Sequence, residues 1–267
     1  MKTIYLGFLA IILSNQSLAQ SITVLDTTPT IELEEVKIAG IRVDESQPFA
    51  FTNIDKEELS SRNLGQDLPI MLNYLPGVVT YSDAGNGIGY TGIKVRGSDP
   101  SRVNITINGI PYNDSESQGV YWVNLPDFTS SVSSLQMQRG VGTSTNGSGA
   151  FGASINLLTD SVSKQAFAEI ANSIGSFNSL KHTLMFSTGL LNDHFEISGR
   201  LSKITSDGYI DRASSDLTSY FLQGAIQDEN TLIKAIIFGG HEITYQSWFG
   251  VDANTLNMDR TYNPAGE

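Results

Sequence analysis

The sequence predicts an α+β domain followed by the start of an antiparallel β-barrel of the transmembrane kind, and three observations carry that reading. An apolar N-terminal run follows a single lysine and ends in small residues, the pattern of an export signal. Between about residues 45 and 160, short helical and alternating stretches mix around a hairpin at residues 103–112. After Asp160 helical periodicity stops, and segments of about ten alternating residues run between turn signals. Alternation alone fits a soluble β-sandwich as well. The lack of any later apolar run of ~18 residues leaves a periplasmic, a secreted and a barrel protein open, since a barrel hides its membrane segments in alternation; the export signal and the domain that precedes the strands weigh toward the barrel.

The export signal occupies residues 1–19. Lys2 supplies the positive start, residues 4–13 are apolar, and Ser17 and Ala19 provide the small side chains of a cleavage site. The core is too short for a spanning helix, which needs ~20 apolar residues. Cleavage after Ala19 would remove Lys2 and take the net charge from −12 to −13. A chain of that charge with no basic stripe is not expected to bind nucleic acid. With 40% hydrophobic and 16% charged residues it has the composition of a folded protein, and its lack of cysteine excludes disulfides, Cys-type zinc sites and an N-terminal lipid anchor.

Residues 20–32 are polar and threonine-rich, a flexible leader to about residue 44. Leu33, Glu34, Glu35, Val36, Lys37 and Ile38 interrupt it with an alternating pattern that suits a short edge strand. The folded domain is expected over 45–160. Phe49 and Phe51 suggest a strand, and Asp55 with Glu58 three residues on marks a helix start, with Leu59 on the buried side. A second short helix is expected over 66–74, stopped by Pro76-Gly77. Residues 81–90 form a glycine-rich loop.

Ile93 and Val95 share a face of a strand that ends at Arg96-Gly97. Val103, Ile105 and Ile107 alternate with Asn104 and Thr106; Asn108-Gly109 has the two residues a type I′ turn demands, and Ile110 begins the return. Residues 113–128 form a second polar and aromatic loop, and a further strand ends at Arg139-Gly140. Residues 147–152 match G-x-G-x-x-G by letter, but no helix comes after them to present its N-terminus to a phosphate, and the same objection applies to the glycines of residues 85–92.

In this order, the strand ending in Arg96-Gly97, the Asn108-Gly109 hairpin, the strand ending in Arg139-Gly140, the glycine- and serine-rich run and residues 153–159 resemble the plug domain of TonB-dependent outer-membrane receptors. The resemblance spans residues 33 to about 250 and is strongest over 64–159. It implies a plug over 45–160 and the first strands of an outer-membrane barrel over 161–267. It implies that residues 33–38 are the TonB box, which pairs with the periplasmic partner TonB by strand addition. It also implies that loops 81–90 and 112–122 face the extracellular side and touch the ligand, through Tyr81, Asn86, Tyr90, Asn113, Gln118, Tyr121 and Trp122, with Trp122 the leading anchor. Arg96 and Arg139 would pair with barrel-wall carboxylates.

The expected function is TonB-dependent uptake of a scarce solute across the outer membrane of a Gram-negative bacterium. A ferric siderophore or other iron chelate is favoured, because the roughly twenty-five residues between Ala19 and Asp44 leave no room for the extra N-terminal domain of sugar-importing relatives. The alternatives are another nutrient (cobalamin or an oligosaccharide) and a non-transporting outer-membrane or secreted β-rich binding protein. No cofactor is expected. Catalysis is unsupported: His182, His194 and His241 lack metal-ligand spacing, and no G-x-S-x-G elbow exists.

Five barrel strands are expected, over 166–176, 180–190, 195–202, 220–227 and 231–241. Ala166, Ala168, Ile170 and Ile174 share the first apolar face. Leu180, Leu184 and Phe186 oppose Lys181, Thr183 and Ser187, and Phe195, Ile197 and Leu201 oppose Glu196, Ser198 and Arg200. A plugged barrel has ~22 strands, so the sequence reads as the N-terminal part of a longer receptor.

Overall fold

The computed structural model describes residues 42–142, 149–228 and 231–266. The export signal, most of the leader and residues 33–38 lie outside them. In chain order the elements are β1 (Phe51–Asp55), α1 (Lys56–Arg62), α2 (Leu68–Met71), β2 (Val78–Ser82), β3 (Thr91–Val95), β4 (Val103–Ile107), β5 (Ile110–Pro111), β6 (Val132–Arg139), β7 (Ala153–Thr159), β8 (Ala166–Ile174), β9 (Leu180–Thr188), β10 (Phe195–Ser206), β11 (Ser215–Asp228), β12 (Thr231–Thr244) and α3 (Ala253–Met258).

The N-terminal domain is a mixed sheet in the order β1-β6-β7-β4-β5, with β4 and β7 parallel and the other pairs antiparallel. Asp55 caps α1 by accepting from the Glu58 N–H at 2.9 Å, as its position predicts. Asn108 and Gly109 both have positive φ, +50° and +82°, so the hairpin turn is the I′ type that matches strand twist. The alternating apolar residues converge: Ile54, Leu59, Leu72, Ile93, Ile105, Leu135, Met137, Ile155 and Leu157 are all fully buried in one core.

Two local expectations change. The second helix shrinks to the turn Leu68–Met71: Pro69 in its first turn fixes where it starts, and Leu72 caps its end. Residues 78–82, the last two of which fall in the loop expected over 81–90, form β2 and pair with β3. The Tyr81 ring lies over Gly92 opposite it, where any side chain would collide. Strand pairing there depends on glycine leaving that space open.

Strands β8 to β12 form a continuous antiparallel meander. Its polarity is the reverse of a soluble sheet. Ile170, Ile174, Leu184, Ile197, Leu201, Leu222, Ile233 and Ile237 are exposed on one face. Thr183, Ser187, Glu196, Arg200, Ser202, Ser219 and Gln223 are buried on the other, against the N-terminal domain. Apolar residues turned out and polar residues turned in suit a strand set bathed in lipid and filled by a second domain. No helix among the described residues is long and apolar enough to cross a membrane, which says nothing of strands.

Strands β10, β11 and β12 run further than their alternation predicts, to Ser206, from Ser215 and to Thr244. These polar ends read as loop, yet Ser206 and Ser215 are buried. The domain covers them, so their polarity is no signal of solvent. If the outer face meets lipid, Ile237→Arg at the middle of β12 should destabilise the complete barrel by about 2–4 kcal/mol in a urea titration in lipid vesicles; unchanged stability would assign that face to water.

Candidate functional site

The seam between domain and meander is organised by Asp127. It comes directly after Pro126 in a left-handed conformation (φ +53°), which turns its carboxylate toward the wall. The carboxylate receives Lys181 Nζ at 2.7 Å and Arg200 Nη1 at 3.3 Å, with all three side chains buried. Thr183 Oγ1 (2.6 Å), Ser130 Oγ (2.6 Å) and Asn63 Nδ2 (3.0 Å) also donate to it. Around it, Ser219 donates to the Pro126 carbonyl at 2.7 Å, and Arg200 Nε donates to Ser131 Oγ at 2.9 Å. Burial pushes the Asp127 carboxyl up, but the Lys181 and Arg200 charges outweigh it and hold the group far below the usual carboxylate range.

This inverts the expected anchoring, in which plug arginines meet wall carboxylates. Among the described residues Arg96 and Arg139 meet no such carboxylate. Arg139 donates to Thr52 Oγ1 at 2.9 Å within its own sheet, and Arg96 is exposed at a turn with φ +51°. The anchor seen on these five strands comes from a loop aspartate that nothing local distinguishes.

The other end of the seam holds loop 83–90. The Ala84 carbonyl accepts from Tyr209 N at 2.8 Å and Ile210 N at 3.2 Å, and Asn86 Nδ2 donates to Ser206 Oγ at 2.6 Å. Gly89 has φ +93°, and a Cβ there would come within 2.7 Å of Ser215 Oγ. Gly85 and Gly89 serve close approach to the wall, and Gly87 close approach to Gln66 and Ile70 within the domain.

Beside the loop, a cavity of about 320 Å³ brings together Tyr81, Tyr90, Tyr121 and Trp122 with Asp83 and Asp99. The two loops singled out from sequence therefore do share one site. Their seven expected residues divide, however. Asn86 is turned to the wall. Asn113 and Gln118 line a neighbouring cavity of about 460 Å³. Asn113 holds its own loop, accepting from Ile105 N at 2.7 Å and donating to the Val103 and Gln118 carbonyls. Trp122 is only 5% exposed and packs in the core, with a lining edge on the first cavity. Tyr81 and Tyr121 are exposed. Sequence reasoning missed Asp83 and Asp99, although each lies in a segment next to a tyrosine or a turn proline.

Below this loop Asp67 is buried. It accepts from Thr91 Oγ1 at 2.7 Å, and its N–H donates to the Gly87 carbonyl at 2.9 Å. Burial pushes its carboxyl up to about 7, with Thr91 opposing and the Glu242 charge on the wall adding to it.

Where the chain enters the described region, Arg42 donates to Ser134 Oγ (2.8 Å), Ser134 O (3.0 Å) and Asn156 O (2.8 Å). The Gln136 amide meets both the N–H and the carbonyl of Val43, each at 2.9 Å. Residues 42–43 are thus clipped to the middle of the sheet at β6 and β7. The histidines lie on the meander: His182 Nδ1 is 2.6 Å from Asn172 Oδ1 and His194 Nδ1 is 3.2 Å from the Gln227 carbonyl. No group of three possible metal-ligating side chains occurs among the described residues.

Residues 43–154 match the family model described as TonB-dependent Receptor Plug Domain. No curated protein sequence matches the chain significantly. Among solved structures, the ferric citrate transporter FecA superposes with a TM-score of 0.63 at 18% identity, over 82% of this chain and 34% of that one. The copper transporter OprC gives 0.61 at 17%, over 76% and 32%. The siderophore receptor PirA from Acinetobacter baumannii gives 0.58 at 18%, over 74% and 32%. The chain spans about a third of the length of the solved structures it matches.

Asp127→Asn would leave Lys181 and Arg200 buried without their counter-charge. It should cost about 3–5 kcal/mol in urea unfolding of the complete protein, whereas Lys56→Met, which breaks the half-exposed Lys56–Asp160 pair, should cost less than about 1. For Asp67 the sign is the opposite of a stabilising carboxylate. Its proton is held in the fold but released in the unfolded chain above the ordinary value of 3.8, so stability falls as pH rises from there through about 7. Asp67→Asn should therefore raise the thermal transition clearly at pH ~8 and little at pH ~4; an equal gain at both would show that the carboxyl ionises freely.

Proposed function

Residues 43–154 being a TonB-dependent receptor plug domain, we propose that the chain is part of a receptor that takes up a scarce solute across the outer membrane by TonB-driven rearrangement of that plug. The observation that carries this reading is the join of the two halves. A mixed-sheet domain sits on the polar face of an antiparallel meander whose other face is apolar and exposed. Such a pairing has no use in water, where both faces would be reversed. In an outer membrane it makes a lipid-facing wall and a gate inside it.

A gate needs a handle. Residues 33–38 supply the sequence pattern of one, and a few residues further along the clip at 42–43 ties the chain to the middle of the plug sheet. The favoured solute is an iron chelate. The likeness to a siderophore receptor and to a ferric citrate transporter supports that choice, and the cavity of tyrosines and carboxylates at the loop end provides ring area and oriented polar groups for such a molecule. The partners are then TonB with its energising complex, the chelate, and outer-membrane lipid.

The handle is the part that can be tested cleanly. In the complete receptor, Val36→Pro removes a strand donor. Import of radioactive iron chelate by cells should fall to the level seen when the proton gradient is collapsed, while chelate binding to the purified protein stays within about twofold, because the residues lining the cavity are unchanged. Import at the wild-type rate would overturn the assignment of residues 33–38.

A further inference from the structure

The cavity between the two plug loops has a one-sided charge. Its twelve lining residues include Asp83 and Asp99 and no lysine, arginine or histidine. Asp83 is half-buried, and burial pushes its carboxyl up. Asp99 is exposed and held below the usual range by the Ser101 N–H and hydroxyl; Lys94 and Arg102 reach it electrostatically, but neither lines the cavity. Burial first, and then acidic neighbours alone, push up the two phenols: Asp83 and Asp99 for Tyr81, and Glu242 and Asp83 for Tyr90, with the Tyr121 phenol contributing to the latter. The chain as a whole carries −12. An anionic ligand would therefore approach against the field and find no cation lining this cavity. Tyrosine rings with carboxylates beside them suit a positive group instead, through ring faces and charge together.

We infer that the plug selects a chelate whose plug-facing side is cationic or neutral, and that Asp83 and Asp99 discriminate against anionic chelates. The inference rests on the uptake reading above and narrows its solute. It differs from a general affinity for iron complexes, because discrimination resides in two carboxylates that can be neutralised without altering shape. Asparagine keeps the turn-capping acceptor of Asp99 and the size of Asp83.

The test uses the complete receptor in detergent with three gallium probes: a linear trihydroxamate bearing an ammonium, a neutral cyclic trihydroxamate and a tricatecholate trianion. At low salt the first two should bind at least about tenfold more tightly than the third, and the gap should narrow as salt rises. In the double variant Asp83→Asn, Asp99→Asn, with an unchanged thermal transition, the ammonium probe should weaken about fivefold and the tricatecholate should tighten. A tricatecholate that binds wild type as tightly as the ammonium probe, or a preference that survives the double variant, overturns the inference and leaves TonB-dependent uptake standing. Absence of binding for all three probes overturns the inference and the choice of an iron chelate, and leaves the handle at residues 33–38 to its own import test.

Discussion

The contact of Asp127 with Lys181 and Arg200 fixes how the two halves of this protein meet. Three charges are taken out of water there, and the attraction among them does not exceed the cost of drying them by much. What the arrangement fixes is position. One carboxylate must be satisfied by two cations from neighbouring strands, by hydroxyls of Ser130 and Thr183 and by the Asn63 amide, so only one placement of the domain on β9 and β10 meets every requirement. That placement sets the turn at residues 128–131 on β10 and β11, and it lets loop 83–90 reach the ends of the longer strands.

Features set by neighbours in sequence were legible before any coordinates. The Asn108-Gly109 turn, the Asp55 cap and the alternation of β8 to β12 are all local, and each is where its chemistry puts it. Features set across the chain were not. The parallel pairing of β4 with β7 joins residues some fifty positions apart. Asp127 reads as an ordinary loop aspartate until Lys181 and Arg200 are brought to it, and polar strand ends such as Ser215 read as loop until the domain covers them. The seven ligand residues were chosen by type within two loops. The loops do converge, but type alone could not tell that Asn113 ties its own loop, that Asn86 faces the wall, or that Trp122 fills the core.

The same distinction explains the loop-end cavity. Tyrosines drew notice because large rings in long loops are costly to expose without a use. Asp83 and Asp99 did not, because aspartate in a turn is common for reasons of backbone geometry. Asp99 serves both purposes: it caps the turn at residues 100–102 and gives its charge to the cavity.

The seam between plug and wall alternates hydroxyl and amide contacts with two apolar clusters, Phe128 against Phe221 and Phe238, and Ile88 and Val123 against Ile204 and Leu217, and this has a mechanical consequence. An apolar seam resists sliding, since any displacement bares surface that water disfavours until the parts separate outright. A hydroxyl-lined seam behaves as a lubricated joint. Each bond broken by a small shift can be replaced by one to water at little net change, so resistance is concentrated at the buried charges and the two apolar clusters. Such a joint holds firmly at rest, and its hydroxyl-lined stretches slide once the charged pin and the apolar contacts give way.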